Sequence, residues 1–138
     1  MIYFTLKELT RSSAAEANKL DNTPDELAEK NLNTLVDNVL DPLRELYGKP
    51  IRVTSGYRSP AVNRSVNGAT SSQHALGEAA DISVDSKEEN KKLFNLIKDN
   101  LPYDLLINEY DYSWVHVSYR NGRLRKLILS IGNNIAYK

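Results

Sequence analysis

Cysteine is absent from this sequence. That excludes disulfides and thiolate ligands, so any metal held here must take nitrogen or oxygen donors. It leaves the compartment open. Net charge is missing as well, because 18 basic and 18 acidic side chains cancel. No long-range field therefore argues for nucleic acid or an anionic membrane. There is no basic stripe with interleaved aromatics, and the eight tyrosines read more simply as core-edge and cleft residues than as a stacking platform. No apolar run approaches the length of a membrane span. The first residues, MIYFTLKELTRSSAAEA, lack the basic-then-apolar order of a signal peptide. The expectation is a soluble monomer made in the cytoplasm, with neither a nucleic-acid partner nor a membrane span.

Internal repeats, low-complexity tracts and linkers are also missing. The 138 residues therefore read as one domain, 1–138, long enough to bury a core without staples. Residues 2–7 alternate loosely as an extended arm, and Thr5 with Glu8 fits a capping box that opens a short helix. Ser12 to Asp25 reads as loop or short helical turns. Thr23 as N-cap, with Pro24 next, opens an amphipathic helix from about Pro24 to Tyr47. Its apolar face is Leu27, Leu32, Leu35, Val36, Val39, Leu40, Leu43 and Leu46, and Gly48 and Pro50 end it. Pro42 inside that pattern should kink or split it.

IRVTSGY is expected as a strand ending at Gly56, residues 58–78 as a long polar loop, and AADISV as a second strand. Asp85-Ser86 with Glu88-Glu89 opens a second helix that stops near Asn100 to Pro102. DLLINEY and WVHVSY follow as strands joined by a turn near Asp111 to Ser113. Asn121-Gly122 is a hairpin signal, with RKLILSIG as the returning strand.

Histidine is scarce: the chain has two. His74 lies in Ser72-x-His74-x-x-Gly77-x-Ala79-x-Asp81, where glycine and alanine permit a tight approach of loop to strand. His116 lies on WVHVSY, where it shares a face with Trp114 and Ser118 while Val115, Val117 and Tyr119 face away. Taken singly, a histidine is usually a satisfied core or surface group and an aspartate usually a turn or cap. Together, two imidazoles and one carboxylate are a common ligand set for one zinc ion with an open fourth position.

The SGYRS segment, the Ser72–Asp81 motif and the late WVHVS segment resemble the M15 family of zinc peptidases. These are the D-alanyl-D-alanine carboxypeptidases and the phage L-alanyl-D-glutamate endopeptidases. A TLxELxxS-like opening is echoed by Phe4 to Ser12, and the resemblance runs from about Phe4 to Tyr119. It implies an α+β fold of the hedgehog/DD-peptidase type, a small antiparallel sheet with helices packed on one face. It also implies Zn2+ held by His74, Asp81 and His116, and hydrolysis of peptidoglycan stem peptides. Arg58 matches the family's motif arginine, implied to meet a substrate carboxylate or the oxyanion, against a surface ion pair as the plainer role. Ser72, Gln73 and Tyr57 join it as substrate-binding or ligand-orienting candidates.

One departure bears on catalysis. Many relatives carry an acid three residues before the last histidine, and that position here is Ser113, which cannot exchange a proton with water near neutral pH. Glu109, after the LLIN strand, is expected as the general base. Asp111 is the second candidate, with a turn-forming role as its competitor. The enzyme would then reach the cell wall by phage-type release or export. The rival expectation is a silent wall-binding or phage structural module that keeps the fold.

Overall fold

A computed structural model of the protein describes residues 1–68 and 72–132. Its first helix, α1 (Leu6–Thr10), is capped by Thr5, whose hydroxyl oxygen accepts from the Glu8 N–H at 3.2 Å. The arm before it is shorter than expected and joins no strand. Instead the buried Asp41 carboxylate accepts from the N–H groups of Ile2 and Tyr3 at 2.8 and 3.1 Å. α2 (Ser13–Asn18) follows, capped by Ser12.

The long apolar helix divides into three. α3 (Glu26–Leu35) is capped by Asp25, whose carboxylate accepts from Ala28 N–H at 2.8 Å. Thr23 is therefore not the cap. Its N–H and hydroxyl both donate to Asp21, at 3.0 and 2.7 Å. A π-helical turn (Val36–Leu40) leads into α4 (Asp41–Tyr47), which carries Pro42 in its first turn. Proline lacks a donor and its ring collides with the carbonyl four residues back. The wider turn passes the Asp41 N–H to Val36 O, five residues back, so the helix continues through proline without breaking. Leu32, Leu35, Val36, Val39, Leu40 and Leu43 are fully buried. Leu27 and Leu46, at the two ends, overshoot the core and are 62% and 49% exposed.

Among the described residues, five strands form one sheet in the order β1-β2-β4-β3-β5. They are β1 (Arg52–Ser55), β2 (Ala79–Ser83), β3 (Leu105–Glu109), β4 (Trp114–Ser118) and β5 (Leu127–Ile131). Every pairing is antiparallel except β3 with β5, which is parallel. This corrects the hairpin expected at Asn121-Gly122. β4 already has β2 and β3 on its two edges, so the returning chain must cross to the far side of β3. Gly122 still makes a turn with φ +81°, but the turn does not close a two-strand ladder.

Alternation divides the sheet into two faces. Val53, Ala80, Ile82, Leu106, Val115 and Val117 enter the core with α3, α4 and α6 (Lys87–Asn100). Asp81, His116, Glu109 and Trp114 stand on the opposite face, set by the registers Asp81–His116 and Glu109–Trp114. The stretch 58–78, expected as loop, contains two helical pieces. Ser59 caps α5 (Pro60–Ser65), with proline in its first turn, and Ser72 caps a 3-10 turn (Gln73–Leu76). This is an α+β fold with a mostly antiparallel sheet and helices packed against it. Among the described residues no helix is long and apolar enough to cross a membrane.

Asn90 on α6 ties these layers together. It is 2% exposed, and its carboxamide oxygen accepts from Val84 N–H at 2.7 Å. Its amide nitrogen donates to the carbonyls of Tyr112 and Ser113 at 2.9 and 3.2 Å. Removing it orphans buried backbone groups. Asn90→Ala should lower stability by about 2–3 kcal/mol in urea denaturation, and an unchanged midpoint would show that those groups find other partners.

Candidate metal centre

The centre is assembled from one strand pair and one helical turn. β2 and β4 place Asp81 directly opposite His116, and Asp81 Oδ1 lies 3.0 Å from His116 Nδ1. The 3-10 turn brings in His74, whose Nε2 is 3.4 Å from the same Oδ1. Gly77 ends that turn with φ +74°, and a Cβ there would run into the backbone of Ala28. The glycine thus lets the turn seat against α3, while the same turn also lies against β2. One donor atom from each of His74, Asp81 and His116 falls within 4.8 Å of the others.

The donor chemistry fits a cation. Gly56 O accepts from His74 Nδ1 at 2.7 Å. A carbonyl can only accept, so the proton of the neutral ring sits on Nδ1 and the Nε2 lone pair faces Asp81. Burial pulls the His74 pKa down, against the attraction of Asp81, which keeps the ring neutral. Burial pushes Asp81 upward, but the two imidazoles outweigh it and hold its carboxyl far below the usual range. The carboxylate is therefore anionic. His116 Nε2 is buried and has no hydrogen-bond partner among the described residues, an arrangement that costs free energy unless something binds there. The three side chains could hold one metal ion with nitrogen and oxygen donors.

Residues 2–118 match the family model described as Peptidase M15. The chain belongs to the Peptidase M15 family. Membership implies a metallopeptidase, in a family whose metal is typically zinc. No curated protein matches the sequence. The matched region of this M15 domain ends with β4, at Ser118.

The remaining candidates separate around the metal centre. Arg58 is half-buried. Its side chain donates to Ser72 Oγ at 3.4 Å, and its Nε is buried without a partner among the described residues. Burial lowers its pKa while the charges of Asp81 and Glu109 oppose that, so all three share one electrostatic neighbourhood. Burial, and then Asp81, raise the pKa of Glu109. The His116 charge, a hydrogen bond from Trp114 Nε1 and Arg58 only partly offset this. Ser72 Oγ accepts from the His74 N–H at 3.2 Å, an orienting contact. Gln73 turns its amide to Asp104 Oδ2, 3.0 Å away.

Two residues lie elsewhere. Tyr57 packs in the hydrophobic core with its backbone tied to Leu9 and Asn22, so its ring is shut off from a substrate. The Asp111 side chain is 85% exposed and 3.8 Å from Lys87 Nζ. It sits in a turn where its φ is +54°, which is the turn-forming role set against its catalytic one.

A polar cluster beside the 3-10 turn has almost no signal in the sequence. Asp104 is 0% exposed. It accepts from Arg125 Nε at 2.7 Å, from Arg123 at 3.2 Å and from Gln73, the neighbour of His74. Arg120 Nε donates to Glu78 Oε2 at 2.8 Å. The only sequence signal was an acid at the head of the apolar strand DLLIN. Burial raises the Asp104 pKa, but Arg125 and Gln73 overcome this and bring it to about 2. A folded pKa below the unfolded value of about 3.9 means stability present above that value and lost as pH falls toward 2. Discounting for half-exposed arginines, about 2 kcal/mol is at stake. Asp104→Asn should therefore be less stable at pH 7 and should lose less stability than wild type on acidification. Parallel acid-dependence curves for the two proteins would contradict this.

Proposed function

We propose that this M15 protein is a zinc peptidase that hydrolyses a peptide bond in peptidoglycan stem peptides, of D-Ala-D-Ala or L-Ala-D-Glu type. The observation that carries the reading is the convergence of His74, Asp81 and His116 on one sheet face, with Glu109 and Arg58 in the same electrostatic neighbourhood. Zinc bound by those three side chains would supply a Lewis acid that polarises a carbonyl and makes water more acidic.

Glu109 is the general base. Its half-buried carboxylate, with a pKa raised toward the working range, takes the proton from the attacking water and returns it to the departing amine. The balance is one water consumed, one C–N bond broken, and a carboxylate and an amine released. Arg58 holds a substrate carboxylate or the developing oxyanion with a planar set of donors. The guanidinium is only half-buried, and its Nε has no partner among the described residues. Asp81 serves as ligand rather than base, because the imidazoles hold its proton affinity too low to accept a proton near neutral pH.

A second reading, a catalytically silent wall-binding or phage structural module, draws on Ser113. That residue stands where many relatives have an acid, and its hydroxyl donates to Tyr110 O at 2.6 Å. Digestion of defined stem peptides by metal-loaded and chelated protein, with mass analysis of fragments, separates the two. Chelation should abolish cleavage. Glu109→Gln should retain the metal and lose about 10²–10⁴-fold in turnover. Binding to peptidoglycan without new amino groups from the wild type would favour the silent module instead.

A further inference from the structure

Trp114 is the only tryptophan in the chain, and it stands directly across the β3–β4 ladder from Glu109. Its indole Nε1 donates to Glu109 Oε2. Its ring packs on Tyr110 with centroids 5.2 Å apart. Tyr110 belongs to an unusual connection: Tyr110, Asp111 and Tyr112 have φ of 51°, 54° and 60° in succession. Left-handed backbone costs about 1–2 kcal/mol per non-glycine residue, and such strain persists only where the surroundings over-determine it. Here they do. Tyr112 N–H donates to Asn108 Oδ1 at 2.6 Å, Tyr110 N–H to Ile131 O at 2.6 Å, and Asn90 to Tyr112 O at 2.9 Å. A two-residue type I′ turn also needs positive φ at both central positions, but it fills them with Asn and Gly, which tolerate it better than tyrosine does. The strained turn delivers a tyrosine ring to the indole beside the candidate metal centre.

We propose that Trp114 is a positioning residue for Glu109: its N–H anchors Oε2, leaving Oε1 as the oxygen that exchanges protons, and Tyr110 on the left-handed turn holds the indole. The inference rests on Glu109 being the general base. A glutamate side chain has several rotamers of similar energy, and misplacing a catalytic group by about 1 Å can cost about 100-fold. An indole N–H suits the task because it only donates and does not titrate. It steadies the carboxyl throughout the proton cycle without competing for the proton.

The first test needs neither metal nor turnover. Because there is one indole, its N–H gives a single resonance in a proton–nitrogen correlation spectrum, and in metal-free Glu109→Ala it should move well upfield of its wild-type position. A resonance that stays in place would overturn the proposal. The second test is Trp114→Phe, which keeps a ring against Tyr110 and removes the donor. Turnover should fall about 10- to 100-fold, with KM and zinc content unchanged. Wild-type turnover in Trp114→Phe beside an inactive Glu109→Gln would overturn this inference alone. Loss of zinc from Trp114→Phe would also overturn it, by making the tryptophan a support for the metal. Wild-type turnover in Glu109→Gln would remove the base assignment itself, and the positioning role with it.

Discussion

The register of β2 against β4 is the constraint on which the rest of the structure depends. It sets Asp81 opposite His116, and a slip of one residue would turn every side chain of the moving strand to the other face. What prevents the slip is not the site. Ile82, Val115 and Val117 are fully buried on the core face, and each is worth about 1.5–3 kcal/mol in that position. Burial alone would penalise the Asp81 carboxylate, and the two imidazoles beside it offset that penalty. The hydrophobic alternation therefore sets the register, and the polar groups occupy the positions it gives them.

Two carboxyl groups on one sheet face are driven in opposite directions. Asp81 lies between imidazoles that hold it ionised, while Glu109 is raised by burial and by the charge of Asp81 itself. Environments that separate the proton affinities of neighbouring acids commonly mark a division of roles. On the proposed function, the division is between Asp81 as a ligand held ionised and Glu109 as the base. The backbone contributes as well, since Gly56 O selects the His74 tautomer that leaves Nε2 open.

Much of this is legible in the sequence. His74, Asp81 and His116 could be named because histidine is scarce and because WVHVSY and AADISV alternate cleanly, and alternation is a local property. What stayed hidden depended on competition between neighbours or on tertiary register. Thr23 and Asp25 are both good caps, and the choice turned on Asp21, which takes the threonine's donors. Ser59-Pro60 is a proper helix start, but α5 is too short to show periodicity inside a polar stretch. Asn121-Gly122 announced a turn but carried no word of which edge the next strand would join. Trp114 could be assigned to the face of His116, yet only the pairing of β3 with β4 shows that Glu109 is its partner. Asp104 read as the first residue of a strand, and its arginine partners lie beyond the next strand in the chain.

The most direct measurement is the stoichiometry and affinity of zinc for the purified protein, by metal analysis and calorimetric titration of the wild type and of His116→Ala. The account predicts one ion per wild-type chain and an affinity lowered by at least about 100-fold in the variant. Wild-type protein that takes up no stoichiometric zinc, or a variant that binds it equally well, would contradict it.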